Sequence, residues 1–399
     1  MKPLAIAVPS ELAATPSAPV VSGVRIRLKP VSVTRKDMSA LRSELKAAGA
    51  FESRELLQWA RLSLWLGCIG GATFVQATAE NLGLVVAMIA IQALFLVPAT
   101  MHGHDAGHRA LSKNVTRNNL MFYLCYPLLW GVSATRWNTQ HNVKHHPSPN
   151  IESEDFVDPD ILLTPFVTTQ AQHEASTPRQ QWFQRNIQAY VFWPATMGLA
   201  LRMQQRGRSE LVERIQAGGF TKSIVADMIL MVAHYALFIG LPSVFFGVLP
   251  VLAIYVAVFG LLGLGLALVL IPGHIGLPIL NRGEDYFTKQ LVGTRNFTPP
   301  PGFGWAFVGL QHQVEHHLFP SMPYSNTKIA GPIVQRWAES RGLPYHSMSW
   351  FRCVADATRF LHNAWQTPTV DYDELDSEPT AQGATVSSPA VLVETASAS

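Results

Sequence analysis

Residues 223–281 contain no lysine or arginine, and most of them are aliphatic or aromatic. A crossing helix needs about 20 apolar residues, and this run is long enough to supply two. The chain therefore reads as an all-α integral membrane protein. Composition agrees: over 399 residues, 48% are hydrophobic and 14% charged, and the apolar residues come in blocks. The formal charge of +3 is too small to point to nucleic acid as a partner.

Gly240-Leu-Pro242 divides the long run into spans expected near 224–240 and 244–272. Two earlier blocks, about 62–79 and 82–100, give two more, with Glu80 and Asn81 at the turn between them. Four spans place both termini on one side. Neither short outer connection carries a lysine or arginine, so that side is expected to be cytoplasmic. Met121–Trp130 and Tyr190–Leu201 are apolar but too short to cross, and they read as helices lying against the bilayer. Residues 1–37 are expected to form a flexible, mildly basic arm without a signal-peptide pattern. The membrane domain then covers 38–366, with amphipathic helices in Ser39–Trp59 (broken near Gly49), Lys328–Leu343 and Met348–Trp365. Residues 367–399, acidic and without a lysine or arginine, are expected to be disordered. Cys68, Cys125 and Cys353 are isolated and form neither a disulfide framework nor a zinc site.

Histidine carries the chemistry. Ten of the fourteen histidines lie within 102–146 or 274–317. His104 and His108 are spaced i, i+4; so are His141 and His145, followed directly by His146; and so are His312 and His316, followed directly by His317. On a helix this spacing places two imidazoles on one face, and imidazole is the commonest protein metal ligand near neutral pH. One zinc uses about four ligands, so eight or more imidazoles suggest two metals. Spacing alone leaves iron, zinc and manganese open. His274, in Ile271-Pro-Gly-His-Ile-Gly, ends the fourth span and turns toward the same side. His234 lies within a span and reads as a packing residue; His173, His346 and His362 have no cluster partner and read as structural.

The three clusters, in this order and spacing, resemble the histidine boxes of the membrane-bound fatty acid desaturases. Gln313-Val-Glu-His316-His317 matches the QxxHH box of the front-end type. Asp158-Pro-Asp160, Leu318-Phe-Pro, Met322-Pro, Asn326, Pro332 and Gly342-Leu-Pro-Tyr345 agree with the same family over roughly residues 60–350. The resemblance implies a four-span fold with a cytoplasmic helical cap, in the bacterial inner membrane. It implies two non-heme iron ions held by His104, His108, His141, His145, His146, His274, His316 and His317, with Gln313 as a weaker ligand or the holder of a metal-bound water. His102, His312, Asp105, Asp158 and Glu315 fall outside the box pattern and are candidates to orient ligands by hydrogen bonds.

The activity so implied uses O2 to introduce a cis double bond into an acyl-lipid or acyl-CoA, the chain entering from the membrane. A lipid or hydrocarbon hydroxylase of the same superfamily is the alternative, and a non-enzymatic metal or heme carrier a third. Many front-end members carry a fused cytochrome b5 domain with a His-Pro-Gly-Gly motif, which does not occur here. Electrons are therefore expected from a separate ferredoxin or cytochrome b5 with its reductase. Arg202, Arg206, Arg208, Arg214 and Lys222 read as a docking patch for an acidic donor.

Overall fold

The computed structural model describes residues 33–281 and 286–370. Most of the expected N-terminal arm, and the tail from residue 371, lie outside the described residues. The boundaries placed at 37 and 367 fall inside described structure. Helix α1 (Arg35–Ala47) starts on Thr34, whose hydroxyl accepts from the Asp37 amide (3.2 Å) while Asp37 accepts from the Thr34 amide (3.0 Å), a reciprocal cap. At the other end, the Val370 amide donates to Ile279 O (2.8 Å) and Val370 O accepts from the Asn281 amide (3.0 Å).

Gly49, at φ +79°, turns the chain after α1 as expected and leads to α2 (Glu55–Thr78). Asn81 caps α3 (Leu82–Gly107) by accepting from the Leu84 amide at 3.2 Å. The two helices pack as a hairpin, tied by Gln92 Nε2 donating to Thr73 Oγ1 (2.8 Å) and Gln76 Oε1 (3.2 Å); such polar ties recur between helices in lipid. Among the described residues three helical stretches are long and apolar enough to cross a membrane: Leu82–Gly107, Lys222–Phe246 and Val248–Gly273. Helix α2 carries most of the expected first span, but begins at Glu55 and includes Arg61, and it is not among the three.

Helix α4 (Val115–Tyr123) continues as a wide-turn segment, Leu124–Trp130. This stretch was expected against the bilayer. Instead Met121, Phe122, Cys125, Tyr126, Leu129 and Trp130 are all buried in the main apolar core, packed against α3 and the later helix Lys222–Tyr235. Helix α5 (Leu199–Gln216) then precedes α6 (Lys222–Tyr235) and α7 (Val248–Leu270). The break between the last two spans falls at Gly247, at φ +81° and ψ 154°, not at Gly240-Leu-Pro242. Pro242 sits in the first turn of Leu241–Phe246, where its missing N–H costs little; only glycine adopts the Gly247 conformation readily.

Gly265 of α7 packs on Val97 of α3, so closely that an added Cβ would stand 2.6 Å from Val97 Cγ2. The C-terminal end of α3 and the residues following α7 meet at one end of the bundle. There they are capped by α8 (Tyr286–Gly293), α9 (Gln313–Leu318), α10 (Thr327–Glu339) and α11 (Trp350–Asn363). Strands β1 (Asn296–Thr298) and β2 (Ser347–Ser349) form a short parallel pair in this cap, a minor departure from an all-helical chain.

Candidate metal centre

The cap brings the three histidine clusters and His274 together. His104 lies in the last turn of α3, and His108 follows its C-terminus with its amide donating to His104 O at 3.2 Å. The second cluster departs from the α-helical spacing. Asn138–His145 is a wide-turn helix, and the His146 amide donates to His141 O, five residues back, at 2.9 Å. Such turns place i and i+5 on one side and are frequent at functional sites. His141 and His146 thus converge, their Nε2 atoms 3.2 Å apart, while His145 turns to other partners. His316 and His317 sit on α9, six residues long; His312 precedes it.

Two groups of side chains result, each with ligand atoms within 4.8 Å of one another: His104, His108, His141 and His316, and His145, His274 and His317. His146 lies with His316 and His317, joining the two. The donor set fits a metal. His141 Nε2 is 2.9 Å from His104 Nε2 as well as 3.2 Å from that of His146. The Nε2 atoms of His108 and His316 are buried with no hydrogen-bond partner. Buried nitrogens left in this state are costly unless something accepts their lone pairs, and a cation does so for all of them at once.

Hydrogen bonds fix the rings. His145 Nδ1 donates to both carboxylate oxygens of Asp158 at 3.0 Å, and Asp158 also accepts from the amides of Asn150 (2.8 Å) and Asp160 (3.0 Å). His317 Nδ1 donates to Gln290 Oε1 (3.1 Å), and His274 Nδ1 to Gly293 O (3.2 Å). Each bond leaves Nε2 available, the arrangement that orients metal-binding imidazoles. Burial, then mutual repulsion, holds His108, His146, His316 and His317 well below the usual histidine range. Burial and the His145 charge push His274 down to about 3. These rings stay neutral, as ligands must. At His145 burial acts the same way, but the Asp158 carboxylate and then Asp160 outweigh it and push the ring up to about 9.

The other sequence candidates divide. Gln313 is buried against Gly273, where an added Cβ would be 2.5 Å from its Cγ. His102 has both ring nitrogens engaged, donating to Pro98 O (2.6 Å) and accepting from Tyr324 OH (3.0 Å). His312 is only half-buried and lies 3.9 Å from Glu315. Glu315, fully buried, accepts from Asn296 Nδ2 (2.8 Å) and Tyr345 OH (2.7 Å) and so anchors α9 to the cap. Asp105 accepts from the Tyr324 amide at 3.2 Å. His234 packs as expected, donating to Leu128 O (2.9 Å) and accepting from Tyr255 OH (2.7 Å).

Three residues escaped the sequence reading. Asp160 lies 3.5 Å from His145 Nε2 and groups with His141 and His145; its place in Asp-Pro-Asp was the available signal. Trp137 stacks on His141 at 4.5 Å, four residues before it. Gln290 gave no signal, because its role depends on where α8 docks: besides binding His317 it donates to His146 O at 2.7 Å. An opening of about 440 Å³, lined by Arg42, Arg109, Asn142, Tyr286 and Pro320, reaches His108 and His146.

The fatty acid desaturase family model matches residues 79–349, well over half of the chain. The chain belongs to the fatty acid desaturase family. It is similar to the acyl-lipid (9-3)-desaturase of Borago officinalis, 24% identical over 361 residues that cover 86% of this chain and 78% of the relative. It is similar to the Delta(8)-fatty-acid desaturase 1 of Arabidopsis thaliana, 26% identical over 352 residues covering 83% and 75%. The Delta(5) fatty acid desaturase fat-4 of Caenorhabditis elegans is 27% identical over 260 residues, 62% of this chain and 56% of that one. The front-end reading of the QxxHH box agrees with these relatives. The protein is a fatty acid desaturase, an oxidoreductase of lipid metabolism, and its family implies iron, a lipid substrate and a membrane setting.

Proposed function

We propose that this desaturase holds two irons, one among His104, His108, His141 and His316 and the other among His145, His274 and His317, with His146 between them. The observation that carries this is the convergence of eight buried or half-buried imidazoles, with the Nε2 atoms of His108 and His316 buried and unpartnered. Gln313 completes the second site directly or through a water. When bound, the metals supply the O2-dependent oxidation that removes two hydrogens from adjacent methylenes and leaves a cis double bond. The chain's own part is to hold the rings and exclude water. Asp158, Gln290 and Gly293 O hold the Nδ1 protons of His145, His317 and His274, and Trp137 walls the first group.

In the membrane, α2, α3, Lys222–Phe246 and Val248–Gly273 act as four spans with the boxes and both termini on the cytoplasmic side, supported by the lysine- and arginine-free outer turns. The substrate is an acyl-lipid, as the names of two relatives suggest, or an acyl-CoA. Electrons arrive from a separate ferredoxin or cytochrome b5, so reduced nucleotide alone gives no product. Fatty-methyl-ester profiling of a host expressing the chain tests the activity. A new acid lacking two hydrogens is expected; a product gaining one oxygen would overturn the reading.

A further inference from the structure

A second cavity, of about 910 Å³, opens between α5, α6 and α7, away from the histidines of the candidate metal centre. Arg202, Gln205 and Arg208 line one side of it; Ile239, Leu252 and Val256 line the other. Its position is unusual for charged groups. Tyr235, which also lines it, is 13 residues into the span that begins at Lys222, about 20 Å along a helix at ~1.5 Å per residue. Val232 and Val256, beside it, are 69% and 53% exposed, as side chains facing lipid are. The cavity therefore opens on the flank of the spans.

The arginines here lack an acid. Glu210 is shared by Arg136 (3.1 Å) and Arg214 (2.7 Å). Among the described residues Arg202, Arg206 and Arg208 have no carboxylate within 4 Å. Their partners are neutral: Arg202 donates to Thr164 O, and Arg208 donates to Tyr235 OH while its guanidinium lies 5.4 Å from that ring centre. Cations at membrane depth are costly unless paired, and arginine matches phosphate geometry well. A mixed lining, cationic on one side and aliphatic on the other, fits an amphiphile with an anionic head.

We propose that this cavity binds an anionic phospholipid, its phosphate at Arg202 and Arg208 and an acyl chain along Ile239, Leu252 and Val256. These arginines had read as a docking patch for an acidic protein. Their place on the flank of the spans, facing apolar side chains, favours a lipid, which reaches such a cavity from the bilayer while a folded donor does not. The inference rests on α6 and α7 standing in the bilayer and is independent of the chemistry at the histidines.

The test is native mass spectrometry of the purified full chain, after exchange in detergent with equal amounts of phosphatidylglycerol and phosphatidylcholine. The wild type should retain phosphatidylglycerol at least tenfold better. The double variant Arg202→Gln, Arg208→Gln should lose that preference, Arg208→Lys should keep most of it, and Arg352→Gln, an exposed cation outside the cavity, should keep all of it. Equal retention of the two lipids by the wild type would overturn the proposal without any variant having to fold. Displacement of bound lipid by millimolar inorganic phosphate would reduce the cavity to an anion site and also overturn it. So would unchanged lipid retention in the double variant, together with a loss of salt-sensitive turnover with an acidic donor.

Discussion

Replacing Asp158 by asparagine tests how the second metal group is held. The carboxylate is completely buried. Its Oδ1 accepts from the Asp160 amide and its Oδ2 from the Asn150 amide, and both face His145 Nδ1. An amide is isosteric, but whichever way it is turned its NH2 meets a backbone N–H. One buried donor is then unsatisfied, at a cost of about 1–3 kcal/mol in fold stability. The negative charge that fixes the His145 ring is lost as well, and losses of such partners lower metal affinity by roughly 10–100-fold, or about 1.4–2.7 kcal/mol. Iron per chain, measured after a fixed exposure to chelator, should therefore fall at the second group first, and product should fall with it. Thermal unfolding of the metal-free protein should show the stability loss of about 1–3 kcal/mol on its own. Wild-type iron retention and product in Asp158→Asn would refute the assignment of Asp158 as the holder of His145.

His145→Ala, His316→Ala and His317→Ala should each abolish product while the protein still inserts in the membrane, with exposed His362→Ala silent; activity near wild type would remove that residue from the ligand set. His173→Ala is not silent in the same way: the ring is buried, donating to Gln184 Oε1 (2.6 Å) and accepting from Arg185 Nε (3.1 Å). It should cost about 1–3 kcal/mol of stability with iron content unchanged. Gly273→Ala should displace Gln313, 2.5 Å from the new Cβ, and lower iron retention; unchanged retention would separate Gln313 from the site. Metal-stripped protein should lose thermal stability as pH falls below 6.5. His108, His146, His316 and His317 titrate well below that value when folded, so the unfolded chain takes up protons that the folded chain does not. His145, pushed up to about 9, acts oppositely, adding stability below 6.5 that is lost as pH rises through 9, but it is one ring against these four and His274, pushed down to about 3. An unfolding midpoint flat between pH 7 and pH 5 would contradict the burial of these rings.

Much of the protein was legible in one dimension because the signals are local. Apolar length marks most of residues 223–273 as helix able to cross a membrane whatever surrounds it, and doubled histidines mark a metal site before any fold is known. The association of His102 and His312 with the clusters was also legible, but not their state: Tyr324, from the far side of the cap, fills the second nitrogen of His102. Span ends were less legible. Gly240-Leu-Pro242 looks like a break, yet a proline in the first turn of a helix is tolerated and the positive φ fell to Gly247.

What only the tertiary structure decided is how the histidines are shared out. The i, i+4 spacing assigns His141 and His145 to one face, and their rings do stack at 5.2 Å, but the wide turn from Asn138 to His145 also brings His146 to His141, while His145 faces His274 and His317. No residue in that segment announces the wider turn by its own preference; it is fixed by Trp137 against His141 at one end and by buried Asp158 holding His145 at the other. Gln290 belongs to the site only because α8 docks between His146 and His317. Sequence determined which atoms could bind metal, since that is a property of each side chain; packing determined which of them face one another, since that depends on residues more than a hundred positions apart.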